Sequence, residues 1–346
     1  MKYVRIQCIN SAKSHNDRHT RSARALHGFA GAAYPRRASP PMQRFHHTQF
    51  TDTRRLCDLK RTAGSVISVC IPTLNEAATI GHIVKSIRSS LVDEIPLVDE
   101  ILVIDSGSAD ETRAIAAAAG ATVRLSATIA PEAGTHTGKG ENLWKALHAA
   151  TGDIICYLDG DVANFHPGFV TGLVGPLLEN ARTGYVKAYY ERPLVNGGSP
   201  HASGGGRVSE ILVRPFISMF YPELAGILQP LAGEYAARRE LLESLAFPTG
   251  YGVEIAHLID LLRMGNLDRL AQTDLACRIH RNRDDGDLGD TAFAILRVML
   301  RRMERDGKIT LHEPPADIHQ RWLIDACGVQ SITKHIPEPE RPPLRP

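Results

Sequence analysis

Asp159-Gly160-Asp161 sets two carboxylates around one small residue, directly after the run Asp153-Ile154-Ile155-Cys156-Tyr157-Leu158. That spacing suits a divalent cation bridging a diphosphate, because magnesium prefers oxygen ligands and usually takes one or two carboxylates plus substrate phosphates. A cation there can carry negative charge off with a departing diphosphate. The plain alternative is an acidic turn at a strand end. Pro72-Thr73-Leu74-Asn75-Glu76 opens a helix, where backbone N–H groups suit polar ligands such as a base and ribose. Asn75 also fits a simple N-cap. Asp105-Ser106-Gly107-Ser108 is a second polar turn of this kind, with a capped turn as its alternative. Gly138-Lys139-Gly140 places a cation on pliant backbone, able to reach a pyrophosphate as a point charge or simply to sit in solvent. It is no Walker A loop, whose pattern is absent. Gly204-Gly205-Gly206-Arg207 ahead of a helix reads as an anion site or a flexible linker. His280 lies in the basic run Arg278-Ile279-His280-Arg281-Asn282-Arg283. Neutral imidazole is a competent metal ligand, yet spacing alone does not bring His280 to Asp161.

The elements that must position these groups follow a repeating pattern. Val66 to Ile71 is a β-branched apolar run and reads as a buried parallel strand, followed by helical spacing at Ile80, Ile83, Val84, Ile87 and Leu91. Glu100 to Asp105 is the next strand. Ser108 with Glu111 matches a capping box, and Gly120 closes that helix. Ala121–Leu125 gives a third strand, Leu143 to Ala150 a helix, and Asp153–Leu158 a fourth strand. Alternating strands and helices argue for an α/β, doubly wound, mostly parallel sheet with ligands at the strand carboxyl ends. The polar clusters at 75–76, 105–106 and 159–161 all fall at such ends. The second half reads as a strand at 185–190, helices at 208–219, 253–262 and 288–303, and a strand at 270–280. A proline-rich tail follows from about 311.

Composition is that of an ordinary globular chain: 346 residues, 43% hydrophobic and 23% charged. A net charge of +2 argues against a general nucleic-acid surface. No apolar run approaches the ~20 residues of a membrane span, and no signal-peptide pattern opens the chain. Six cysteines without a C-x-x-C pair read as reduced core thiols of a cytoplasmic protein. Residues 1–41 carry eight lysines and arginines against Asp17 alone, with no sustained apolar period. They read as disordered or as upstream sequence ahead of Met42, and residues 1–64 are expected to lie outside the catalytic domain of 65–305. Within that domain, 65–165 would bind the nucleotide sugar and 166–305 the acceptor, leaving 306–346 as a tail.

Seven motifs in order across 65–300 resemble the glucosyl-3-phosphoglycerate synthase family, retaining glycosyltransferases of the GT-A fold. They are Ile71–Glu76, Ile104–Ser108, Gly138–Glu141, Gly204–Val208, Leu228–Tyr235, Gly250–Ile255 and His280–Arg283. The resemblance implies that Pro72, Thr73, Leu74, Asn75, Glu76 and Ser106 hold the nucleoside, with Asp159 and Gly160 against ribose and diphosphate. Asp161 and His280 would ligate Mg2+, with Mn2+ or another divalent cation as a substitute. Lys139 would contact the diphosphate and steady the leaving group. Leu231, Tyr251, Glu254 and Arg278 would surround the transferred sugar. Gly206, Arg207, Ser209 and Asn282 would bind 3-phosphoglycerate. Gly160, Ser209 and Ala77 depart from the family's serine, threonine and glutamate, and no metal ligand changes with them.

The implied reaction moves glucose, with UDP-glucose as the favoured donor, to the 2-hydroxyl of 3-phosphoglycerate with retention. A relative using GDP-mannose is the nearest alternative. A sugar nucleotidyltransferase would carry a glycine-rich activating loop at its first strand, which Pro72–Glu76 is not. A non-catalytic nucleotide binder would not need Lys139, Asp161, Glu254, Arg278 and His280 together. A homodimer is expected, with no nucleic-acid or membrane partner.

Overall fold

A computed structural model describes residues 42–196, 199–201, 206–279, 285–325 and 328–345. His280 and Asn282 lie outside the described residues, as do Gly204, Gly205 and 1–41. The first elements are β1 (Gln43–His46), α1 (Thr53–Ala63), β2 (Ile67–Thr73), α2 (Ile80–Arg88), β3 (Glu100–Asp105) and α3 (Thr112–Ala118). There follow β4 (Thr122–Leu125), α4 (Lys139–Ala149), β5 (Ile154–Tyr157), α5 (Gly168–Glu179) and β6 (Tyr185–Glu191). A small ribbon, β7 (Leu194–Asn196) and β8 (Ser199–His201), precedes a π-helical turn at Ser209–Val213 and α6 (Arg214–Phe220). Next come β9 (Tyr235–Arg238), α7 (Arg239–Glu243), β10 (Phe247–Pro248), α8 (Val253–Arg263), β11 (Leu270–Cys277) and α9 (Asp285–Arg305). The last are β12 (Ile318–Asp325), β13 (Gly328–His335) and β14 (Glu340–Arg341).

The main sheet has the order β1-β11-β6-β9-β5-β2-β3-β4. All its pairings are parallel except those of β9, which runs antiparallel to both β5 and β6. Parallel strands covered on both faces become continuous apolar runs. Along β2, Val69 and Ile71 enter one core with Ile83 and Ile87 of α2 and Phe169 and Leu173 of α5. The intervening Cys70 enters a second core with Leu143 and Leu147 of α4 and Leu258 of α8. Cys57, Cys70 and Cys156 are buried free thiols, and Cys277 is a half-buried one.

Residues 42–64 belong to the fold, which corrects their assignment to an extension outside it. β1 adds the edge strand beside β11, with Gln43 opposite Ala271 and His46 opposite Asp274. Phe50 and Leu56 are buried in the first core. Gly175 of α5 leaves room for Phe50, because a Cβ there would lie 2.2 Å from the ring. The proline-rich tail is also structured: β12 and β13 form an antiparallel ribbon, and β14 pairs with β10. No helix among the described residues is long and apolar enough to cross a membrane.

Candidate active site

The parallel strands β2, β3, β5, β6 and β11 deliver their carboxyl ends to one edge, and antiparallel β9 brings its amino end there. Asp105 at the end of β3 is fully buried. Its Oδ1 accepts from the backbone N–H of Gly107 at 3.0 Å and Ser108 at 2.8 Å, and its Oδ2 from the Thr73 and Ser108 hydroxyls at 3.0 and 2.5 Å. The Ser108 hydroxyl in turn accepts from Asn75 N–H at 2.9 Å. Ser108 therefore makes no capping box: α3 starts at Thr112, and Glu111 before it caps with no side chain. Nor is Asn75 an N-cap. It sits in left-handed backbone at φ 59°, its Oδ1 accepting from Ala109 N–H at 2.9 Å, while α2 begins at Ile80. These bonds lock the two polar turns together.

Gly160 lies against the first of those turns. A Cβ on it would come within 3.1 Å of Thr73 Cγ2 and 3.3 Å of the Pro72 carbonyl, and its own carbonyl accepts from the Thr79 hydroxyl at 2.6 Å. Leu74 and Asn75 are exposed beside it, as is Ser106, whose hydroxyl accepts from Asn142 Nδ2 at 2.6 Å. The chain thus offers an open polar shelf with a rigid base.

Beside the shelf, five residues expected at the site form one ionic network. Lys139 Nζ lies 2.5 Å from Asp159 Oδ1 and 3.0 Å from Glu254 Oε1. Arg278 donates to Asp159 Oδ2 at 2.9 Å, Asp161 Oδ1 at 2.7 Å and Glu234 Oε1 at 2.6 Å. Glu234 Oε2 accepts from the Tyr190 hydroxyl at 2.5 Å, and Arg192 donates to that hydroxyl oxygen at 2.7 Å. Burial opposes charge on both Lys139 and Asp159, but each is overruled. Asp159 and Glu254 raise the lysine above its ordinary value, while Lys139 and Arg278 hold Asp159 below the usual carboxylate range. Gly233 permits the approach, since a Cβ there would stand 2.2 Å from Lys139 Nζ. Leu231 and Tyr251 lie on loops packed against the second core.

Asp161 is the most exposed of the five side chains, at 29%. Arg278 donates to its Oδ1 at 2.7 Å. A partly exposed carboxylate at the strand edge suits a hard divalent cation completed by substrate phosphates. Among the described residues no cluster of three acids, histidines or cysteines forms a full metal cage.

Arg207 is half-buried, and Ser209 is buried at the start of the π-helical turn. Arg214 ties that segment to the 227–231 loop by donating to the carbonyls of Leu228 and Ile227. Gln229 donates to the Tyr190 carbonyl at 2.5 Å, so the segment reaches the network through that loop. Glu234, Tyr190 and Arg192 join the network without standing among the expected site residues. Glu234 stands within a quoted motif, and its acid in the otherwise apolar stretch Leu231–Ala237 was the available signal. Tyr190 and Arg192 lie at an ordinary-looking strand end.

Residues 68–245 match the model of glycosyl transferase family 2. The chain is 48% identical over 300 residues to glucosyl-3-phosphoglycerate synthase of Petrotoga mobilis, covering 87% of this chain and 92% of that one. The chain belongs to the glucosyl-3-phosphoglycerate synthase family. Among solved structures it is similar to the Mycobacterium tuberculosis family member in complex with Mn2+, UDP-glucose and phosphoglyceric acid. That match has a TM-score of 0.77 and 40% identity, covering 88% of this chain and 98% of that one. Another crystal of that enzyme holds Mg2+ and UDP. Mannosyl-3-phosphoglycerate synthase from Rubrobacter xylanophilus is similar as well, with a TM-score of 0.79 and 36% identity over 87% of this chain and 94% of that one.

Proposed function

We propose that this chain transfers glucose from UDP-glucose to the 2-hydroxyl of 3-phosphoglycerate, with retention at the anomeric carbon. The observation that carries the reading is the Lys139–Asp159–Arg278–Asp161 network at the strand edge, in a chain with a family member's fold along its length. The 2-hydroxyl is the one alcohol 3-phosphoglycerate has, so the acceptor fixes the site of transfer. The shelf at Pro72–Glu76 and Ser106 takes the nucleoside, with Asp159 and Gly160 toward ribose and diphosphate. Asp161 and His280 hold the divalent cation, which when bound offsets charge on the departing diphosphate. Lys139 adds a fixed positive charge there, in a site where such charges act without reorganising.

Double displacement needs a carboxylate placed to attack the sugar. Glu254, the carboxylate expected beside the sugar, is buried and held by Lys139 at 3.0 Å, and Glu234 is buried and held by Arg278 at 2.6 Å. That supports a same-face reaction. The bond from C1 to the diphosphate oxygen breaks as the bond from C1 to the acceptor oxygen forms, and the hydroxyl proton passes to the departing phosphate oxygen. Glu254, with Leu231, Tyr251 and Arg278, orients the sugar. Gly206, Arg207, Ser209 and Asn282 bind the acceptor's anionic groups. The protein acts in the cytoplasm as a homodimer; the exposed Trp322, Ile324 and Val329 of the β12–β13 ribbon offer apolar surface for pairing, and light scattering would read the mass.

A donor panel tests this: UDP-glucose, GDP-glucose and GDP-mannose, each with 3-phosphoglycerate and magnesium. UDP-glucose is expected to turn over fastest. Preference for GDP-mannose would move the chain to the mannosyl branch. Pyrophosphate release from a nucleoside triphosphate and a sugar phosphate would make it a nucleotidyltransferase. Nucleotide binding with no turnover would make it a binding protein.

A further inference from the structure

Glu141 follows the lysine turn in the motif Gly138-Lys139-Gly140-Glu141, and neither the chemistry nor the metal uses it. It is fully buried on α4. A buried carboxylate requires a partner. That partner comes from 200 residues away: Arg341 of β14 donates Nε to Glu141 Oε2 and a terminal nitrogen to Oε1, both at 2.7 Å. Such a two-bond pair fixes direction as well as distance. The same guanidinium donates to the carbonyls of Ala133 at 2.6 Å and Gly134 at 2.9 Å, and it lies over the Trp144 ring. Trp144 Nε1 donates to the Pro342 carbonyl at 3.2 Å.

The segment also grips the other side of the site. Glu338 accepts from Gly250 N–H at 3.1 Å, and the Pro339 carbonyl accepts from Thr249 N–H at 2.9 Å. A Cβ on Gly250 would stand 1.8 Å from the Glu338 carboxylate. The 249–250 backbone then receives the lysine turn directly: Gly140 N–H donates to the Gly250 carbonyl at 3.1 Å and Glu141 N–H to that of Thr249 at 2.9 Å. A Cβ on Gly140 would lie 1.8 Å from the Pro248 carbonyl. Four residues beyond Gly250, Glu254 meets Lys139.

We infer that residues 338–342 are a positioning clamp for the donor site: Arg341 on Glu141 and Glu338 on Gly250 press the Lys139 turn against the start of α8 and so set the lysine's reach to the diphosphate. Arg341 and Glu141 are positioning residues that act through Lys139. The inference rests on the transferase reading for what Lys139 does, but its test does not depend on turnover alone.

The experiment uses the full chain with Arg341→Lys, which keeps the charge and loses the two-bond geometry, and Arg341→Ala. Affinity for UDP with magnesium is measured by calorimetry, in the parent and in a Lys139→Ala background, alongside turnover of UDP-glucose and 3-phosphoglycerate. Arg341→Lys should weaken UDP binding about tenfold in the parent and leave it within about twofold when Lys139 is already gone, because the effect runs through that residue. Its kcat should fall about tenfold with little change in the 3-phosphoglycerate KM. Equal weakening in both backgrounds would mean general loosening and would overturn the clamp. So would UDP affinity within about twofold of the parent in both Arg341 variants. If Arg341→Ala fails to fold, Arg341→Lys decides alone. If the parent binds UDP but does not turn over, the transferase reading fails while the binding cycle still reports on the clamp.

Discussion

Lys139 is held by two carboxylates before any substrate arrives, so its charge costs no rearrangement when a diphosphate develops charge beside it. Removing that cation takes Glu254's ion-pair partner and leaves Asp159 with Arg278. Lys139→Ala should lower kcat by about 10²-fold and cost about 3 kcal/mol of stability, read by steady-state kinetics and urea denaturation. Asp161→Ala and His280→Ala should each abolish metal-dependent turnover; chelator-sensitive turnover at the parent rate in either would remove that residue from the metal site. A second buried lysine makes a different prediction. Lys187 on β6 donates to the Ala232 carbonyl at 2.7 Å and lies over the Tyr235 ring. Burial lowers its pKa from 10.5 to about 8, against the pull of Glu254. Between those values the unfolded chain holds a proton that the native chain has lost, so the lysine's cost fades as pH rises. The stability of the parent relative to Lys187→Met should therefore climb from pH 8 to 10, by about 1.4 kcal/mol per unit at its steepest. A flat difference would contradict a depressed lysine. At this scale the ionisable residues of the site were visible as types in sequence, but not who pairs with whom: Arg278 reaches Asp159 and Asp161 across more than a hundred residues, a distance no motif encodes.

The strands and helices that carry those residues were the most legible part of the chain. β2, β3 and β5 are continuous apolar runs because each faces two cores, and α8 and α9 announce themselves by helical spacing. β1 and β14 left little trace, since four- and two-residue strands have no period to read and gain their pairing only from β11 and β10. The turns misled in one respect. Ser108 and Asn75 at capping positions instead serve bonds across two loops, because buried Asp105 claims Ser108 for itself. Backbone proximity at the lysine turn gives a test at this scale. Gly140→Ala forces a Cβ into the Pro248 carbonyl and should destabilise by about 2 kcal/mol or more, measured by urea unfolding. Just ahead of the π-helical turn, Arg207→Ala should mainly raise the KM for 3-phosphoglycerate. Unchanged acceptor kinetics would take Arg207 out of the acceptor site.

Across the whole molecule, one parallel edge gathers groups from five strand ends, and the far end of the sequence returns to brace them. Two-sided burial of that sheet was readable from residue types; the return of 338–342 was not, because proline-rich sequence carries no period and its hold depends on a buried glutamate elsewhere. Hexose transfer to 3-phosphoglycerate is read directly by proton and phosphorus NMR of a reaction of UDP-glucose, 3-phosphoglycerate and magnesium. The expected spectrum shows UDP and an α-linked glucosyl-3-phosphoglycerate appearing in equal amounts, with neither formed when the metal is chelated. UDP appearing with free glucose while 3-phosphoglycerate remains intact, or a β-linked product, would contradict it.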